Sequence, residues 1–483
     1  MSPRSRTRRL SAGLAVVALA FAGAGTAAAH AAPLSPSATA TAAAEPGILM
    51  NYVVNTKPVP IHIDRTEQAI EAAGGKVVQS YGDLGVIIAQ STSPTFRTDV
   101  KLGKNGKSVQ TVGATRTTAV TEGPVGAAAK PATTKGLQAN ESVPALDPRE
   151  GEQWDMVQIK ADKAHEQSDG SNRVLVGIND SGVDDTHPDL APNFDAANSV
   201  SCNNNGVPDT TPGVWRPTTS DHGTHVAGTV GAARNGVGIV GVAPGVRIAS
   251  VKVVNDDGYI FPEYAICGWV WAAEHKMDVT NHSYFIDPWE FWCNDDGDQG
   301  AVQEAVRRAV SFATSKGVLS VAAAGNANYD LANKTTDTAS PNDGTPISRT
   351  INNECLDIPT ELPGVLTVAS TTRAGIRSGF SNLGLNKIDV AAPGSSILST
   401  IPGGKYGLKS GTSMASPHVA GVAALIKSNR PWLKPAEIEK ALRVDADDTA
   451  CPAVVDARCT GTTANNAFFG EGLVDALDGV KRW

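Results

Sequence analysis

Beyond its N-terminal segment the chain has no uninterrupted apolar stretch near the ~20 residues that a membrane-spanning helix requires, so a membrane anchor is not expected. It has no cationic excess either: 41 Lys and Arg stand against 49 Asp and Glu, for a formal net charge of −8. Nucleic acid and anionic bilayers are poor partners for such a chain. Cysteine is absent before residue 200, and no Cys-x-x-Cys pair occurs. That absence argues against a thiolate metal site. The six cysteines (Cys202, Cys267, Cys293, Cys355, Cys451, Cys459) therefore read as up to three disulfides, with about 15 possible connectivities. No serine sits in Gly-x-Ser-x-Gly, which removes the nucleophile elbow of lipases and esterases. Internal repeats are missing too.

What is present begins at the N-terminus. Arg4, Arg6, Arg8 and Arg9 precede an apolar run from Leu10 to about Ala22, and Ala29-His30-Ala31 follows as a small-residue cleavage site. This is the pattern of a secretory signal peptide over residues 1–31. It implies a secreted, extracellular protein and a compartment in which disulfides persist. Residues 32–47, rich in Ala, Ser, Thr and Pro, read as a flexible segment.

Residues 48–112 read as a compact unit of order β-α-β-β-α-β, a small ferredoxin-like α+β domain. Its first helix is expected to start at Asp64 as N-cap and to stop at a Gly pair. Residues 113–149 are again Thr/Ala/Pro-rich and read as an exposed linker. From Glu150 to the end, apolar runs starting at Val174, Ile248, Val279, Val318, Val365 and Lys387 alternate with helical patterns. In the best of these, Val302, Ala305, Val306, Ala309, Val310 and Ala313 share one face. Such alternation predicts an α/β domain over 150–483, three layers with a mostly parallel sheet.

Four stretches in that domain carry chemistry. A buried strand breaks into Asp180-Ser181-Gly182; His222 opens a small-residue helix; Asn326 ends the strand-like Val-Ala-Ala-Ala-Gly-Asn; and Ser413 follows a Gly-Thr turn at a helix start. Amide hydrolysis needs a nucleophile, a base that takes its proton, and an acceptor that fixes the base's tautomer. A serine at a helix N-terminus has backbone N–H groups and positive dipole near the developing oxyanion. A carboxamide beside it supplies a second donor.

Asp-Ser-Gly, His-Gly-Thr-His-Val-Ala-Gly-Thr, Ala-Ala-Gly-Asn and Gly-Thr-Ser-Met-Ala-Ser-Pro-His-Val-Ala-Gly, in that order, resemble the signature blocks of the subtilisin family. The resemblance covers nearly all of residues 150–483. It implies a secreted serine endopeptidase acting through an acyl-enzyme, with Ser413 as nucleophile, His222 as general base, Asp180 as orienting carboxylate and Asn326 as oxyanion donor. Substrates would be proteins or peptides held along Ser283, Tyr284, Phe285, Ala324 and Gly325. The resemblance also makes residues 48–112 a propeptide that inhibits and helps fold a self-processing zymogen, with maturation within the linker. The expected form is a monomer.

The same comparison sorts the other acids. Asp189 matches a family calcium ligand, with the Asn235 side chain and the carbonyls of Ala233, Val237 and Ile239 as partners; Ca²⁺ takes six to eight oxygens, many of them carbonyls. A further ligand would fall on Glu150 or Gln153. Asp184 and Asp185 read as solvated turn residues. Two departures from the family pattern stand out. Asn179 replaces an apolar residue and, being buried, is expected to be hydrogen-bonded. Tyr284 and Phe285, with the insertion that follows them, make the substrate pocket unlike the pattern. Cys451 and Cys459, close in sequence, are expected to pair. Cys293–Cys355, in insertions flanking the pocket, is the second expectation, and Cys202–Cys267 follows by elimination.

Overall fold

The structure, a computed structural model, describes residues 47–121, 146–452 and 456–481. The expected signal peptide over 1–31, all but the last residue of the 32–47 segment and the central part of the 113–149 linker lie outside the described residues.

The first unit has the expected order. Strands β1 (Met50–Thr56), β2 (Gly75–Tyr81), β3 (Val86–Ser91) and β4 (Val109–Ala114) are joined through helices α1 (Pro60–Ala72) and α2 (Phe96–Leu102). They form an antiparallel sheet in the order β2-β3-β1-β4. Asp64 is not the N-cap. The helix starts a turn earlier because Pro60, with φ already near the helical value and no N–H to satisfy, occupies its first turn. Alternation along β1 sorts the two faces: Met50, Tyr52 and Val54 pack against the helices, and Val53 faces the larger domain.

In the larger domain, short helices α3 (Trp154–Gln158) and α4 (Ala161–Ala164) lead into β5 (Leu175–Asp180). There follow β6 (Val200–Asn204), β7 (Val207–Asp209), α5 (His222–Gly231), β8 (Arg247–Lys252), α6 (Pro262–Glu274) and β9 (Val279–His282). Next come β10 (Trp292–Cys293), α7 (Gly297–Ser315), β11 (Leu319–Ala323), β12 (Thr336–Asp337), β13 (Arg349–Thr350), β14 (Cys355–Leu356) and β15 (Val365–Thr371). The chain closes with β16 (Val390–Pro393), β17 (Ile397–Ile401), β18 (Lys405–Lys409), α8 (Thr412–Asn429), α9 (Pro435–Val444) and α10 (Ala476–Val480).

Eight strands form one sheet in the order β16-β15-β11-β9-β5-β8-β6-β7, parallel throughout except for β7. All six apolar runs fall on its strands. Parallel strands covered on both faces read as continuous hydrophobic runs, and β5 shows why. Val176 and Ile178 enter the core shared with α5 and α8, while Leu175 enters the core shared with α6 and α7. The six α7 residues expected on one face are all buried. The result is the three-layer α/β architecture expected.

The three disulfides are Cys202–Cys267, Cys293–Cys355 and Cys451–Cys459, matching the expected pairings. Cys293–Cys355 lies on an antiparallel ribbon of β10 and β14, where the two cysteines are direct partners.

Candidate active site

The site gathers where several segments end. Strand β5 stops at Asp180, which is 2% exposed, and Gly182 turns the chain with φ +105°, a conformation that favours glycine. His222 begins α5, and the next residue must be small: a Cβ on Gly223 would lie 2.5 Å from the Gly182 carbonyl oxygen. That close approach brings His222 Nδ1 to 2.9 and 3.0 Å from the two Asp180 carboxylate oxygens. Burial alone would lower the His222 pKa, but the adjacent Asp180 charge and hydrogen bond outweigh it and hold it above the usual histidine value.

Ser413 lies in the first turn of α8, which packs against α5. Its Oγ donates to the Ser283 carbonyl at 3.2 Å, while Ser283 Oγ donates back to the Ser413 carbonyl at 2.9 Å. Ser413 makes no hydrogen bond to His222 in this arrangement, so the Asp180–His222 link is formed and the His222–Ser413 link is not. Asn326 follows β11, and its Oδ1 accepts from both Thr412 N and Thr412 Oγ1, at 2.8 and 2.9 Å. With the oxygen fixed, Nδ2 is left as a free donor at the same cleft. That cleft, about 400 Å³, is bordered by Ser283, Tyr284, Phe285, Gly325, Asn326 and Ser413. Ala324 does not line it: the residue is wholly buried, its N–H bonded to Val368, and Ala323 takes its place.

Set against known proteins, residues 171–472 match the Subtilase family. The chain belongs to that family. Subtilisin NAT of Bacillus subtilis subsp. natto is 34% identical over 319 residues, covering 66% of this chain and 68% of that protein. Subtilisin of Bacillus pumilus is 36% identical over 289 residues, 60% of this chain and 89% of that one. Among solved structures, fervidolysin from Fervidobacterium pennivorans, a keratinolytic enzyme related to subtilisin, superposes with TM-score 0.64 at 25% identity. The match spans 90% of this chain but only 61% of fervidolysin. The leader peptide processing protease EpiP from Staphylococcus aureus, at 22% identity and TM-score 0.65, shares the fold. The subtilase described here is accordingly a serine endopeptidase.

Other histidines of the subtilase serve its structure. His225, next to the site on α5, bonds the carbonyls of Ile397 and Gly407, and burial lowers its pKa to about 4. His418 is buried and bonds Asp155 at 3.0 Å.

Several turn residues differ from expectation. Asp184 and Asp185 are not solvated. Asp184 accepts from Thr186 and the Gly403 N–H; Asp185 pairs with Arg216 and accepts from Trp215 Nε1. Both tie the strand-end turn to distant segments, which local polarity could not reveal. Asn179 also departs from expectation. It is wholly buried, yet neither amide atom has a hydrogen-bond partner. The nearby Tyr284 hydroxyl contacts His282 Nδ1 at 2.9 Å instead.

The Asp189 loop meets the chemistry of a hard cation. Asp189 Oδ2 accepts from the Ile239 N–H and the Tyr406 hydroxyl, whereas Oδ1 is buried without a partner. The carbonyls of Ala233, Val237 and Ile239 accept no hydrogen bond, though Asn235 Oδ1 already takes the Val237 N–H. Glu150 pairs with Arg234, and Gln153 makes two hydrogen bonds to the Val240 backbone. Both side chains therefore reach the loop, at Arg234 and at Val240. Among the described residues, no cluster of three His, Cys, Asp or Glu side chains is placed to hold a metal, and no helix is long and apolar enough to cross a membrane. A second buried carboxylate, Asp147, accepts the Asn235 and Gly236 N–H groups at the same loop, so a calcium site here would draw on one or two carboxylates and on carbonyls.

Proposed function

We propose that the enzyme is an exported, monomeric endopeptidase made as a self-processing zymogen, with Ser413, His222, Asp180 and Asn326 as its catalytic groups. The observation that carries this is the Asp180–His222 pair beside a serine whose neighbouring carboxamide is fixed by its oxygen alone. With Nδ1–H bonded to Asp180, the neutral imidazole presents Nε2 as a base. When substrate enters, the Ser413 hydroxyl rotates away from the Ser283 carbonyl to a second staggered rotamer and donates to Nε2. Oγ attacks the scissile carbonyl, His222 takes the proton, and Asn326 Nδ2 with the Ser413 N–H at the start of α8 stabilises the oxyanion. The imidazolium then protonates the leaving amine, and water hydrolyses the acyl-enzyme by the reverse proton route.

The N-terminal unit supports the zymogen reading through its docking. Arg97 makes a bidentate pair with Asp298, and Arg116 forms a buried pair with Glu263. Arg308 donates to the carbonyls of Thr56, Leu84 and Gly85. Beyond β4 the chain continues at the cleft rim, where Thr117 and Thr118 bond the Asp343 carboxylate beside Asn342, a cleft residue. A tail heading this way suits an inhibitor held like a bound product.

A serine-directed fluorophosphonate should label the mature protein at Ser413 alone. The labelling rate should fall as pH drops, because protonated His222 cannot accept a proton. Its raised pKa places the midpoint above about 6.5. Absence of labelling at every pH would sink the reading.

Calcium, if taken up, would be held by Asp189 Oδ1, the Asn235 side chain and the carbonyls of Ala233, Val237 and Ile239, supplying charge neutralisation and loop rigidity. Chelation should lower Tm by about 2–4 °C, and Asp189→Ala should abolish that response. Equal melting of wild type with and without chelator would remove the site.

A further inference from the structure

The cleft beside Ser413 carries charge that the reaction does not use. Asp287, Glu290 and Asp357 all line it. Asp287 is satisfied by the Ile260 N–H and by Asn342 Nδ2. The other two differ. Glu290 is 9% exposed and Asp357 2% exposed, and neither carboxylate accepts a hydrogen bond or pairs with a cation. The neighbouring cations are engaged elsewhere: Lys334 and Lys387 bind Glu361, and Arg349 binds Asp337. Of the charges facing Asp357, Glu290 and Glu361 repel it and only Lys334 attracts it. A buried carboxylate without donor or counter-ion is costly. Two of them aimed into one cavity call for a partner from outside.

The pair is also held in place. Glu290 precedes β10 and Asp357 follows β14, and these strands form the ribbon closed by Cys293–Cys355. The same cavity is bounded by Ser283, Gly325, Asn326 and Ser413, and Asp357 lies beside Gly325, where an added Cβ would be 3.3 Å from its Oδ2. A substrate carbonyl whose oxygen sits at Asn326 Nδ2 must direct its own residue's side chain into this space.

We propose that the pocket selects arginine or lysine on the acyl side of the scissile bond, with Glu290 and Asp357 as the specificity-determining carboxylates. This rests on Ser413 being the nucleophile. A guanidinium brings five N–H donors in a planar fork, and an ammonium brings a compact charge; either supplies what both carboxylates lack. Tyr284 and Phe285 on the walls suit the aliphatic stem. Burial foremost, then neighbouring carboxylates, pushes the Glu290 pKa up to about 7 and that of Asp357 well above the usual range. A bound cation would reverse that tendency.

The test uses mature enzyme and fluorogenic peptides differing only in the residue before the scissile bond: Arg, Lys, Leu, Phe or Glu. Wild type should cut the Arg or Lys peptide about 100-fold or more faster in kcat/KM than the Leu and Phe peptides. Asp357→Asn and Glu290→Gln should each shrink the Arg/Leu ratio at least 10-fold. That ratio is internal to each preparation, so partial misfolding does not alter it. Faster cleavage after Leu or Phe by wild type overturns the proposal. A preference for basic residues that survives both substitutions overturns the assignment to these carboxylates. Failure to label with fluorophosphonate and to cut any of the peptides would instead overturn the nucleophile assignment beneath it.

Discussion

Ser413→Ala is expected to lower turnover by about 10⁶-fold, a magnitude measured on subtilisin itself, and to leave the N-terminal unit attached. Without Oγ no acyl-enzyme forms, and the base and its orienting carboxylate have nothing to activate. If the enzyme cuts its own linker, the variant should accumulate outside the cell with its N-terminus still near Ala32. Wild type should begin between Gly113 and Glu152. Both forms should be sequenced from a host without extracellular proteases. Normal processing of the variant there would show that another protease does the cutting.

Asn326→Ala should lower kcat by about 10²–10³, again a magnitude known from subtilisin, with little change in KM. The side chain has one end tied to Thr412, so its donor is preset where negative charge develops and contributes mainly when the tetrahedral oxyanion exists. A variant that raises KM and leaves kcat intact would mean that Nδ2 binds the ground-state substrate and is not an oxyanion donor. A change in neither would remove Asn326 from the mechanism.

Most of the large sheet was readable because its strands are buried on both faces and need unbroken apolar runs; Val174–Ile178 is the plainest case. The hairpin β17–β18 is less legible: its strands are five residues each and β18 is partly exposed, although Pro402-Gly403-Gly404 marks its turn. The α1 start was misplaced because an internal Asp outweighed Pro60, the stronger start signal. At the site, short motifs located Asp180, His222, Asn326 and Ser413. What they could not convey was the present bonding of Ser413 to Ser283, or the lack of any partner for Asn179. Glu290 and Asp357 were invisible for a different reason. Each sits in an insertion, and only the ribbon closed by Cys293–Cys355 brings the two to one cavity. A cysteine within a few residues of each acid was the signal to follow.

Arg308 grips the N-terminal unit through three main-chain carbonyls, Thr56, Leu84 and Gly85, and through the Gln110 side chain. Recognition at that point reads mainly the backbone of the small sheet, and it needs glycine at 85, where a Cβ would lie 2.3 Å from the Thr56 carbonyl oxygen. These contacts therefore test chiefly whether the unit keeps its fold. A segment of the same fold grafted from a distant relative would present those carbonyls to Arg308, and its fit would then be decided at side-chain contacts such as those to Glu263, Asp298 and Asn205.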